Sequence, residues 1–185
     1  MSEAFWALGR GSGVVLLALL TISVLLGLLT RSGRPIGRLP RFGVTLVHRN
    51  VALLSVVFLA VHVLSLLGDP YAQLRLVDLV VPFAGAQSPF WLGLGTLALD
   101  LMLAVTITAL LRRWIGQRVF RAVHWATYPL WSIALAHGLG QGSDAHSTWF
   151  LAGAAVAAVC VLSATIWRTS VGFVEHRRHR LEPVR

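Results

Sequence analysis

The sequence predicts an all-α integral membrane protein, built as a bundle of about five transmembrane helices. Hydrophobic residues make up 56% of the 185 and charged residues 12%, whereas about a quarter of an ordinary soluble domain is charged. The apolar residues fall into runs of about 20, the length that an α-helix needs to cross the hydrocarbon core. A net charge of +9 would suggest a nucleic-acid partner in a soluble protein. Here the arginines cluster between the apolar runs, so we interpret them as signals of membrane topology and expect no nucleic-acid partner.

One membrane domain, residues 1–185, accounts for the whole sequence. Its first run could also be a cleaved signal peptide, but basic residues and no A-x-A-like cleavage site follow it. The single cysteine, Cys160, lies inside the last run and excludes an internal disulfide. The predicted spans are residues 14–30, 44–67, 90–111, 119–139 and 148–167, followed by a basic cytoplasmic tail at 168–185.

The arginines also predict the orientation in the cell membrane. Fourteen of the 16 flank the first and third connectors or follow the last span, and only Arg10 and Arg75 lie elsewhere. Because cytoplasmic segments carry the excess of arginine, the N-terminus is expected outside and the C-terminus in the cytoplasm. The absence of lysine and the abundance of alanine, leucine and arginine are typical of a high-GC bacterial genome.

Two of the spans carry two histidines each. His48 and His62 are fourteen residues apart, so they share one helix face at depths about 21 Å apart. The predicted orientation places His124 level with His48 towards the cytoplasm, and His137 level with His62 towards the outside. A haem iron accepts one imidazole on each axial face, so the matched pairs predict two stacked bis-histidine haems that transfer electrons.

The fourth span cannot be a straight helix if both of its histidines are ligands. Thirteen residues at about 100° each leave His124 and His137 more than a right angle apart around the axis. Pro129 lies between them and removes one backbone hydrogen bond. We expect a distortion near Pro129 that turns His137 towards the haem side.

These spacings resemble the ferric reductase-like transmembrane domain shared by NADPH oxidases, ferric reductases and bacterial haem-binding subunits. The resemblance covers roughly residues 10–170 and is carried by LVHRNVALLSVVFLAVHVLSLL and RAVHWATYPLWSIALAH. It implies two b-type haems, one held by His48 and His124 and the other by His62 and His137. It also implies outward electron flow, from a cytoplasmic reduced flavin to an acceptor beyond the membrane.

Two departures from that family affect the expected partners. Full-length members carry a flavin- and NADPH-binding domain after the last span, whereas 18 residues without a glycine-rich nucleotide loop follow Trp167 here. We therefore expect no flavin or NADPH site in this chain, and a separate flavin reductase, flavin or quinol as donor. The outer acceptor is unknown. Five spans, in place of the commoner six, indicate that a first helix is missing.

Other polar residues allow two interpretations each. Arg49 and Arg121 could pair with propionates of the inner haem, or could serve only as topology signals. Asp100 could accept a hydrogen bond from a ligand histidine, or could be a protonated carboxyl in the bundle. Gln141, Asp144 and His146 could meet a metal or a partner, although a solvated outer loop is favoured.

A non-redox protein is the alternative function. It would be a membrane scaffold, or a small transporter whose histidines bind a metal ion. Transporters typically have broken helices and polar residues at the membrane midplane, and Asp100 is the main candidate for such a residue.

Overall fold

The computed structural model describes residues 2–32, 40–85 and 88–170. In these ranges the chain forms α-helices and one 3₁₀ turn, Leu76–Leu79, and no strand. Four of the helices, α1, α2, α3 and α6, are long and apolar enough to cross a membrane. This confirms the prediction of an all-α membrane protein. The helices are α1 (Ser2–Ser32), α2 (Arg41–Gly68), α3 (Pro89–Leu110), α4 (Arg112–His124), α5 (Thr127–Gln141) and α6 (Thr148–Thr169).

Helices α1 and α2 form an antiparallel pair. Gly9 lies against Leu66, Gly13 against His62 and Gly27 against His48, so the contacted residues move back along α2 as α1 advances. Glycine has no side chain, which allows two helices to approach closely in a membrane. The N-terminal helix is therefore part of the surroundings of both histidines of α2.

The run 119–139 is divided between α4 and α5, and the division lies one turn before Pro129. Pro129 has no N–H, so the carbonyl of Trp125 lacks the donor that a regular helix would give it. Tyr128 N–H bonds to that carbonyl instead, at 3.3 Å, and Ala126 N–H bonds to Val123 O at 2.9 Å. This tightened turn is the distortion expected near Pro129. A second irregularity lies within α4 at Gly116, whose φ of 80° suits a glycine.

The buried core lies at the depth between the two histidine levels. It brings together α1, α3, α5 and α6 through the side chains of Leu20, Met102, Leu130, Trp131 and Val161. Trp131 donates its indole N–H to Thr21 Oγ1 at 3.0 Å, which satisfies the one polar group of that ring. This packing fixes α5 against α1 at a depth between His124 and His137.

The loop between α2 and α3 packs on α3, close to the segment of α3 that contacts His137. Arg75 forms an ion pair with the buried Asp78 at 2.9 Å, and Thr96 Oγ1 donates to the Asp78 carbonyl at 2.5 Å. Phe83 packs so tightly on Gly93 that an added methyl carbon there would lie 2.2 Å from its ring. The loop therefore supports the N-terminal half of α3.

Asp78→Asn is expected to loosen this loop. The Arg75 guanidinium holds the pKa of Asp78 below its ordinary value, chiefly through their side-chain hydrogen bond. The stabilisation is thus present above the unfolded pKa of about 3.9 and is lost only as pH falls through the lower folded pKa. Hydrogen exchange at the amides of Asp78, Val80 and Val81, which bond within the turn, should stay slow at pH 5 and be faster in the variant.

Asp69→Asn is the matched control, because Asp69 accepts a hydrogen bond from Tyr71 N–H in a separate turn of the same loop. It should leave the exchange of those three amides unchanged. Equal exchange rates in the native protein and in Asp78→Asn would contradict the role given to the ion pair.

Candidate functional site

The structure brings the four histidines of α2, α4 and α5 together in two pairs. The ring centres of His48 and His124 lie 6.3 Å apart, with the ring planes at 89° to each other. His62 and His137 are close enough to interact electrostatically. Each pair joins a histidine of α2 to one from the run 119–139.

The pair of His48 and His124 lies towards the arginine-rich end of the bundle. His48 Nδ1 is 3.5 Å from Ser23 Oγ of α1, and His124 lies against the Phe120 ring with their centres 5.0 Å apart. His124 Nδ1 is buried and has no hydrogen-bond partner among the described residues. Arg31 is near enough to act on His124 electrostatically. This pair is therefore only weakly constrained by hydrogen bonds.

The pair of His62 and His137 is constrained by two short hydrogen bonds. His62 Nδ1 is 2.8 Å from the carbonyl of Gly9, and His137 Nδ1 is 2.8 Å from the carbonyl of Trp91. A carbonyl can only accept, so each imidazole carries its proton on Nδ1. Nε2 of each ring then carries the lone pair that a metal binds.

The spacing of the first pair fits two axial ligands of a haem. Imidazole nitrogens bind metals at about 2 Å, so one metal between two such rings would place the ring centres about 6 Å apart. The observed 6.3 Å agrees with this value. The described residues contain no group of three or more histidines, cysteines and carboxylates placed to hold a metal ion. Two imidazoles per level suit a metal whose other ligands come from a macrocycle.

The other predicted residues are not drawn into these pairs. Arg49 and Arg121 are exposed, at the same end of the bundle as His48 and His124. Asp100 lies half-buried in α3 and makes no hydrogen bond or ion pair with any residue that the structure describes. Its proposed role as acceptor for a ligand histidine stays a prediction.

Asp144 is buried, whereas the sequence favours a solvated loop at this position. It is 7% exposed and forms a bidentate ion pair with Arg10, both contacts being 2.5 Å long. Arg10 also lies over the Trp6 ring, 5.1 Å from its centre. The ion pair joins the start of α1, next to Gly9, to the loop that follows α5.

The residues that sequence reasoning missed are those of α1 and α3 behind the histidines. Gly13 and Gly27 of α1 are fourteen residues apart, the same spacing as His48 and His62 of α2. That repeated spacing was a usable signal, since antiparallel neighbours with equal spacings can meet at two levels. No comparable sequence pattern indicates Trp91, which contributes only its carbonyl.

Comparison with known proteins supports the same interpretation. The ferric reductase like transmembrane component, a family whose members generally bind haem, matches residues 12–135. The matched region includes His48, His62 and His124, and His137 follows two residues after its end. Neither curated proteins nor solved structures give a match to this chain. Since the match covers more than half of the sequence and confirms the resemblance seen in its motifs, the chain belongs to the family of ferric reductase like transmembrane components.

Proposed function

We propose that this protein carries single electrons across the membrane through two bis-histidine b-type haems. His48 and His124 would hold the inner haem, and His62 and His137 the outer one. The observation that carries the proposal is the pairing of imidazoles at two levels, with the first pair spaced for a metal between its rings. Membership of a haem-binding family supports it. Bound haem supplies a one-electron couple between ferric and ferrous iron.

The protein's own residues would hold and orient the ligands. An imidazole on each side of the iron would leave no coordination position open, which would favour electron transfer over chemistry at the metal. The Gly9 and Trp91 carbonyls would keep the outer rings in one tautomer. The buried core around Leu130 and Trp131 would keep water out of the space between the levels.

The direction of transfer is proposed to be outward. The arginine-rich end that holds His48 and His124 would face the cytoplasm, where a separate flavin reductase, free flavin or quinol would deliver electrons. Its positive surface would attract an acidic donor more strongly at low salt. The acceptor would lie at the end that holds His62 and His137.

The first test is the haem content of the detergent-purified protein. We expect an absorption spectrum typical of six-coordinate b-type haem, and a pyridine haemochrome assay that returns close to two haems per polypeptide. Protein that stays colourless although haem is supplied during expression would contradict the proposal. That outcome would favour the non-redox scaffold or transporter.

A further inference from the structure

Three of the four histidine rings lie against a glycine of a neighbouring helix. A methyl carbon added at Gly95 would lie 2.6 Å from His137 Cε1, and one added at Gly13 would lie 3.0 Å from His62 Cε1. The corresponding distance from Gly27 to His48 Cε1 is 3.3 Å. Any side chain at Gly95 or Gly13 would therefore force the imidazole to move.

The hydrogen-bond partner of each outer ring lies one turn before the glycine. Gly9 precedes Gly13 by four residues on α1, and Trp91 precedes Gly95 by four residues on α3. Residues four apart lie on one face of a helix. The ring thus occupies the gap left by the glycine, and its Nδ1–H reaches the carbonyl of the preceding turn at 2.8 Å in both cases.

We propose that Gly13 and Gly95 are positioning residues for the outer haem ligands. Each lets an imidazole lie directly on a neighbouring helix, where the carbonyl one turn earlier holds its Nδ1–H. The same arrangement occurs twice independently, because α1 holds His62 in this way and α3 holds His137. This inference rests on the proposed function, because it concerns how the two ligands are held.

The arrangement has an electronic consequence for the outer level. An imidazole that donates a short Nδ1–H bond becomes more basic at Nε2 and donates more strongly to a metal. Stronger donation favours ferric over ferrous iron and lowers the midpoint potential. The inner level has no equally short bond among the described residues, since Ser23 Oγ is 3.5 Å from His48 Nδ1 and His124 Nδ1 has no partner. Weakening the outer bonds should therefore raise one of the two midpoint potentials.

The experiment compares glycine variants of the haem-loaded protein by potentiometric titration. Gly13→Ala and Gly95→Ala should each shift the same one of the two reduction steps to higher potential and leave the other in place. The ferric low-spin electron paramagnetic resonance signal of that haem should shift with it. Gly27→Ala, placed at the inner level, should not move that step.

Two further variants are matched controls, because a methyl carbon added at either position meets nothing within 4 Å. Gly11→Ala lies on α1, two residues from Gly13, and Gly153→Ala lies on α6. Both should titrate like the native protein. These controls separate a local effect on the ligands from the general effect of alanine on helix stability.

Each outcome decides the proposal. Loss of the outer haem alone in Gly13→Ala or Gly95→Ala, with both haems kept in the controls, would support it as a stronger form of the same displacement. Unchanged potentials and haem content would overturn it, and so would equal shifts of both steps, loss of both haems, or a shift in Gly11→Ala. A native protein without haem would refute the proposed function instead, so the two failures are distinguishable.

Discussion

His62→Ala and His137→Ala are each expected to lose the same one of two haems, and His48→Ala and His124→Ala to lose the other. The reason is the pairing of the rings across helices, with His48 beside His124 and His62 close enough to His137 to interact with it electrostatically. If each pair holds a haem as we propose, removing either imidazole would leave one axial position empty, and the single remaining ligand would hold the macrocycle weakly. The haem content should fall from about two to about one per chain in all four variants.

The identity of the remaining haem is the more informative measurement. Within each pair the two variants should show the same remaining reduction step, and the two pairs should keep different steps. His146→Ala is the matched control, because His146 is exposed in the loop after α5. It should keep both haems. Loss of the same haem in His48→Ala and His62→Ala would show that the pairing is wrong.

The sequence was sufficient for the parts of the fold that depend on one helix at a time. Hydropathy alone predicts the all-α class, and spacing along α2 places His48 and His62 on one face at two depths. The break before Pro129 also follows from a local cause, the missing N–H of proline. These features need no knowledge of which helices are neighbours.

The hydrogen bonds from His62 and His137 to neighbouring helices could not be predicted from one helix at a time. His62 and Gly9 are 53 residues apart, and His137 and Trp91 are 46 apart. Each contact depends on the register between two helices, which composition and periodicity do not determine. The acceptors are backbone carbonyls, which every residue has, so no residue type indicates them.

The burial of Asp144 was unpredictable for a similar reason. Its neighbours Gly142, Ser143 and His146 indicate an ordinary loop, and only the position of α1 brings Arg10 to it. The ion pair also lowers the net positive charge that Arg10 contributes at its end of the bundle. An arginine paired with an aspartate carries little net charge for orientation, whereas an arginine without a nearby acid carries its full charge.

The ion pairs sharpen the difference in charge between the two ends of the bundle. Among the described residues two arginines, Arg10 and Arg75, lie at the end that holds His62 and His137, and they are paired with Asp144 and Asp78. At the opposite end the described residues include no acidic side chain, and the arginines there include Arg41, Arg49, Arg112, Arg113, Arg118, Arg121 and Arg168. Because positive segments stay in the cytoplasm, that end is predicted to face inward.

Labelling of single cysteines in intact cells tests this orientation with an all-or-none result. In a Cys160→Ser background, Ser143→Cys and Gln117→Cys each place one thiol at an exposed position, in the loop after α5 and in α4 respectively, without removing an arginine. A membrane-impermeant maleimide should label Ser143→Cys in intact cells and Gln117→Cys only after lysis. The background protein should remain unlabelled in both states. Labelling of Gln117→Cys alone in intact cells would place His48 and His124 at the outer face, and would reverse the direction of electron transfer that we propose.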